Sequence, residues 1–192
     1  MYWEIELENI EDQNLIQILE SQKAEANLQF GKFIERNYED WFDEKSDKPI
    51  LSHKLFGEFV APEIRKKDKP ILFIVIDNLR LDQWKIFESI VYNHYKVEKE
   101  ANYYSILPTA TQYARNAIFS GLLPLEMEKK FPQYWKNDTE DGGKNLHEAD
   151  FLNEQLKRLG LNIKSEYYKI TNLRDGKKLV DNFKACKNND LT

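Results

Sequence analysis

Hydrophobic positions follow two different rhythms along this chain. From residue 1 to about 68 they recur at three- and four-residue steps between Glu, Gln, Asn and Lys. Phe30, Phe33, Ile34, Tyr38, Trp41 and Phe42 make one helical stripe, and Leu15, Ile16, Ile18 and Leu19 make an earlier patch of the same kind. Ser46-Asp-Lys-Pro49 interrupts the pattern, and Leu51 to Val60 restarts a shorter amphipathic helix that stops before Ala61-Pro62. The pattern predicts a small helical bundle over residues 1–68, a packed appendage or a docking and dimerisation element.

The second rhythm begins after the charged link Arg65-Lys-Lys-Asp-Lys69. Ile71-Leu-Phe-Ile-Val-Ile76 is an apolar, β-branched run bounded by Pro70 and closed by Asp77 and Asn78, which reads as a parallel strand buried on both faces. Leu79 to Tyr92 has helical spacing, Tyr95 to Tyr104 reads as a second strand, and a loop from Ser105 runs into a helix ending near Gly121. His147 to Leu159 is an amphipathic helix stopped by Gly160, Leu161 to Ile170 a strand, and Asn172 to about Lys187 a helix. Asp190-Leu191-Thr192 stands where a further strand is expected to begin. Alternating strands and helices predict an α/β domain over 69–192, doubly wound around a mainly parallel sheet.

In such sheets ligands sit beyond the carboxyl ends of the strands, so Asp77 is a site candidate; it could equally cap the following helix. Thr109, followed three residues later by Gln112, has the capping-box spacing and accounts for both residues structurally. Thr111 is left inside the first turn, among free N–H groups at the positive helix end, the setting that binds phosphate or sulfate. Arg115, four residues on, shares its face and either assists an anionic substrate or packs on a nearby acid. A threonine hydroxyl needs a metal or a base to become nucleophilic, and a carboxylate at Asp77 suits such a metal.

Composition narrows the setting. A formal net charge of −5 supplies no broad basic field for coating nucleic acid. No stretch approaches the ~18 apolar residues of a membrane span, and the first residues lack the build of a signal peptide. The single cysteine, Cys186, fits a reducing compartment, so the expectation is cytoplasmic. Neither G-x-G-x-x-G nor a Walker loop occurs, which disfavours a dinucleotide-binding domain.

Ile71-Leu-Phe-Ile-Val-Ile-Asp77-Asn-Leu-Arg80-Leu-Asp82-Gln-Trp84, followed by Leu107-Pro-Thr-Ala-Thr111-Gln-Tyr-Ala-Arg115-Asn-Ala-Ile-Phe-Ser-Gly121-Leu-Leu-Pro124, resembles the start of a PglZ domain, a branch of the alkaline phosphatase superfamily. The resemblance is closest to PorX-type response regulators, covers residues 69–192, and extends to the helical linker before them. It implies an alkaline-phosphatase-like sheet and a two-zinc phosphodiesterase or phosphatase acting on nucleotide or oligonucleotide diesters. By the same resemblance Asp77 is a metal ligand, Thr111 is both nucleophile and metal ligand, and Arg115 is catalytic and substrate-binding. Asn78, where some relatives carry a second acid ligand, is assigned to substrate binding.

The resemblance further implies a receiver domain and a sensor kinase as partners, a two-component pathway regulating secretion, and room for a homodimer. The later histidine and aspartate ligands of the superfamily have no counterpart: His53, His94 and His147 lack the required acid spacing, and His147-Glu148-Ala149-Asp150 reads as a solvated helix start. The expectation is therefore an incomplete, inactive N-terminal piece of a longer enzyme. The competing reading is a non-catalytic signalling and interaction module.

Overall fold

The computed structural model describes residues 12–43, 48–67 and 69–192, and its helices follow the expected order closely. They are α1 (Gln13–Asn37), α2 (Ala61–Lys66), α3 (Leu81–Val91), α4 (Thr111–Ser120), α5 (Pro124–Lys130), α6 (Glu148–Arg158) and α7 (Leu173–Cys186). The chain divides into two compact units: residues up to 49 with 78–100, and residues 50–77 with 101–192.

In the first unit, Asp12 starts α1 by accepting a hydrogen bond from the Asn14 amide at 2.9 Å. None of the α1 residues is buried, and its apolar stripe stays open along most of its length, with Phe30 53% exposed. At its end the stripe meets Trp41, which is buried and lies 5.8 Å from the Phe33 ring and 5.9 Å from the Tyr38 ring. α3 is started by Gln83, whose Oε1 accepts the Arg80 amide at 3.0 Å, and by an Arg80–Asp82 ion pair at 2.6 Å.

The second unit holds most of the buried core. The helix expected from Leu51 to Val60 is broken into a 3-10 turn (Ser52–Lys54) and a π-helical turn (Phe56–Val60), and α2 then runs through Pro62. Proline is accepted there because the first helical turn has no use for its missing N–H. Phe56, fully buried, begins a series of ring contacts: Phe56 to Phe73 at 5.6 Å, Phe73 to Phe119 at 6.3 Å, Phe119 to Tyr167 at 5.6 Å. α4 packs on α6, and buried Ser52 accepts the Ile106 amide at 3.1 Å. α4 ends at Gly121 with φ +64°, where an added Cβ would stand 2.1 Å from Gln155 Oε1. Gln155 cannot retreat freely, because its amide donates to the carbonyls of Ile118 (3.0 Å) and Phe119 (2.8 Å).

The expected doubly wound parallel sheet is not found: the described residues contain helices and turns but no strand. Three isolated parallel bridges stand in its place, Leu51 with Tyr104, Ile71 with Leu191 and Ser165 with Leu191. The run 71–76 bridges at Ile71 alone before the turn at Asp77–Asn78, and it is not buried on both faces; Leu72, Ile74 and Ile76 are 42%, 66% and 59% exposed. Of the strand expected at Tyr95–Tyr104, Tyr104 alone makes a bridge, and of Leu161–Ile170, Ser165 alone. β-branched residues favour extended backbone, but a strand needs partners for successive amides, and here pairing covers one position per segment.

Candidate functional site

The candidate chemistry gathers where the end of the run 71–77 meets the start of α4, within the second unit. The helix begins at Thr111 with Ala110 as N-cap, one residue later than a Thr109–Gln112 capping box requires. Gln112 turns away and donates to the Lys136 carbonyl at 3.3 Å. Thr111 is therefore the first residue of α4, at the positive end of ten residues of helix. Asn145 ties this start down, donating to the Thr111 carbonyl at 3.2 Å and to Asn116 Oδ1 at 2.9 Å.

Asp77 Oδ2 accepts two hydrogen bonds, from Thr111 Oγ1 at 3.2 Å and from Arg115 Nη1 at 2.9 Å. Asp77 does not cap α3, whose N-cap is Arg80. Arg115 Nε donates to Glu148, so one guanidinium joins two carboxylates. Glu148 is not solvated as expected of a helix start. It is 1% exposed and also accepts from Tyr167 Oη at 2.7 Å and Lys169 Nζ at 3.0 Å. Its charge is balanced by these cations and by its place in the first turn of α6. Burial, and then the bond to Glu148, push the Tyr167 phenol well above the usual tyrosine range. Burial and the nearby Asp77 charge push the Tyr103 phenol up as well.

The structure thus brings Asp77, Thr111 and Arg115 together. Asn78 opens the following turn with φ +59°, a left-handed conformation that asparagine adopts more readily than most residues. His147 is engaged elsewhere, with Nδ1 at 2.8 Å from Asp150 Oδ2 and its ring stacked on Tyr134. Tyr167, Lys169 and Asn145 escaped the sequence reading, and Glu148, read there as part of a solvated helix start, is buried instead. The sole hint at Glu148 was its position in the first turn of an amphipathic helix.

Alkaline phosphatase-like domains in general use metals, and Asp77 with Thr111 offers two oxygen donors. A catalytic zinc takes about three protein ligands, and Asp77 Oδ2 is already held by Arg115. No group of three His, Cys, Asp or Glu side chains with metal-binding geometry occurs among the described residues. These residues do not by themselves fit a zinc ion. No described helix is long and apolar enough to cross a membrane.

Compared with curated proteins, the chain finds no match. A model of the PorX response regulator linker domain matches residues 1–42. Residues 55–187, which include the whole Asp77–Thr111–Arg115–Glu148 cluster, match the BREX system PglZ alkaline phosphatase-like domain, and the chain belongs to that family.

Proposed function

We propose that this chain carries the nucleophile end of a domain that hydrolyses nucleotide-type phosphodiesters, in a regulator of the PorX kind. The observation that carries the reading is the convergence of Thr111 Oγ1, Asp77 and Arg115 at the positive end of α4. Free N–H groups of the first turn and the Arg115 guanidinium are donors suited to phosphoryl oxygens. Thr111 Oγ attacks phosphorus in line and the far P–O ester bond breaks, its electron pair leaving with the alkoxide, which takes a proton from solvent to become the alcohol. The hydroxyl proton passes to Asp77 Oδ2, which already accepts it in a hydrogen bond. Water then cleaves the phosphothreonine.

Zn2+ is the metal suggested by the resemblance, and Asp77 and Thr111 are the donors this chain would give it; further ligands would have to complete the shell. The test is hydrolysis of bis-p-nitrophenyl phosphate by the intact protein. Thr111→Val removes turnover while the far-ultraviolet circular dichroism is unchanged, and undiminished turnover removes Thr111 as nucleophile.

A second reading is favoured by the linker match at residues 1–42 and by the open apolar stripe on α1. In it the helical part relays phosphorylation from a receiver domain and a sensor kinase, and the remainder binds a partner without catalysis. Binding of a phosphodiester without any turnover, by protein supplied with zinc, favours this reading.

A further inference from the structure

The first turn of α4 is fixed from outside the helix. Its N-cap, Ala110, makes no side-chain cap, and alanine is among the weakest residues at that place. Segment 136–145 takes over the task. Gln112 donates to the Lys136 carbonyl at 3.3 Å, Tyr113 Oη to Asp138 Oδ2 at 2.5 Å and Asn116 Nδ2 to the Lys144 carbonyl at 3.1 Å. Asn145 adds a bond that falls on Thr111 itself. Its Nδ2 spans the Thr111 carbonyl (3.2 Å) and Asn116 Oδ1 (2.9 Å). A carbonyl can only accept, so the nitrogen edge of Asn145 must face it, and Asn116, 1% exposed, holds the carboxamide in that sense. The Asn145 carbonyl in turn accepts from Lys169 Nζ, which also donates to Glu148 Oε2 at 3.0 Å. Glu148 receives Arg115, Arg115 holds Asp77, and Asp77 accepts the Thr111 hydroxyl. A closed circuit of hydrogen bonds therefore leaves Thr111 at its backbone and returns to it at Oγ1.

We propose that Asn145 is a positioning residue for the phosphoryl transfer assigned to Thr111, an inference that rests on that reading. Its side chain bonds to the Thr111 backbone and to Asn116, so it acts through the nucleophile rather than on the substrate. The need for it arises from the chemistry. The bond from Thr111 Oγ1 to Asp77 is lost as the proton crosses, at the moment when Oγ must stay in line with phosphorus. What persists through that step is the grip on the Thr111 peptide. In helical geometry the same carbonyl accepts the Arg115 amide, so Asn145 holds the point where nucleophile and guanidinium share one backbone bond. Helix ends fray, and an error of about 1 Å in placing a reacting atom can cost about a hundredfold in rate.

The test measures kcat per folded molecule for bis-p-nitrophenyl phosphate, with the intact protein supplied with zinc and Thr111→Val run beside it. Asn145→Ala should lower kcat about tenfold or more. It should also speed amide exchange at Tyr113 and Ala114, whose N–H groups bond to the Ala110 carbonyl at 2.9 and 3.0 Å. Tyr113→Phe, which loosens the same segment at Asp138 without touching Thr111, should leave kcat unchanged. Asn145→Asp keeps the shape, but its ionised carboxylate has no donor for the Thr111 carbonyl. Its kcat relative to the parent should therefore rise as pH falls through the titration of the new carboxyl. A kcat retained in Asn145→Ala, unchanged exchange at Tyr113 and Ala114, an equal loss in Tyr113→Phe, or a ratio flat with pH would overturn the proposal alone, provided Thr111→Val is inactive. Undiminished turnover in Thr111→Val, or no turnover by the parent, would overturn both this proposal and the reading of Thr111 as nucleophile.

Discussion

Replacing Glu148 by glutamine is the sharpest single probe of the buried cluster. The change keeps the volume of a side chain that is 1% exposed, but removes the charge shared by Arg115, Lys169 and the Tyr167 hydroxyl. Breaking a buried ion pair from one side costs about 3–5 kcal/mol, because the surviving partner is left uncompensated. Two features of this cluster soften that penalty. Arg115 keeps Asp77 at 2.9 Å, and the Lys169 side chain is 38% exposed and also donates to the Asn145 carbonyl. The loss should therefore be about 2–3 kcal/mol, nearer the cost of stranding buried hydrogen-bond donors. In urea unfolding followed by tryptophan fluorescence, the midpoint should fall by about 1 M with the slope unchanged. Raising the salt concentration should barely alter the difference, since the carboxylate is shielded from solvent. A loss below about 0.5 kcal/mol would refute the view that Glu148 balances these cations, being the size expected of a surface substitution.

Three further outcomes are expected. Gly121→Ala should destabilise by about 2–4 kcal/mol in the same assay, from the left-handed backbone and from displacing Gln155 off two carbonyls; a neutral result would show that Gln155 moves without loss. Phe56→Ala, at the head of the ring series, should cost about 3–5 kcal/mol by calorimetry or urea titration, and a cost near 1 would mean that the site collapses around the smaller side chain. Tyr167 titrates high in the folded protein, so above about pH 10 the unfolded chain releases a proton that the folded chain retains, and stability falls as pH rises. Tyr167→Phe should remove up to about 1.4 kcal/mol per pH unit from that alkaline decline; identical alkaline limbs in the two proteins would exclude it as the cause.

What the sequence revealed depended on how local each cause was. The helices Leu81–Val91, Glu148–Arg158 and Leu173–Cys186 lie within a few residues of expectation, because spacing at 3.6 residues and a stop such as Gly160 are written into neighbouring positions. The family was legible from the wording around Asp77 and Thr111. The capping box was a local pattern that failed, as the N-cap is Ala110 rather than Thr109. The sheet failed for the opposite reason: apolar β-branched residues favour an extended backbone at 71–76, but strands are made by distant partners, and Leu191 and Thr192 supply few bonds. Glu148 was misjudged likewise, since Arg115, Tyr167 and Lys169 lie 33, 19 and 21 residues away from it. No window of neighbouring residues shows that they will surround one carboxylate.

Arg115 is held at one edge and lent at the other. Its Nε is anchored to a carboxylate that solvent does not reach, while its Nη1 rests on Asp77, whose side chain is 47% exposed. Under the proposed function, an anion arriving at the outer edge would take Nη1 from Asp77 while Glu148 keeps the guanidinium in place, and Asp77 would be left with the bond from Thr111 Oγ1 alone. Substrate arrival would then strip a counter-charge from the very carboxylate that is to receive the Thr111 proton, and so raise its basicity.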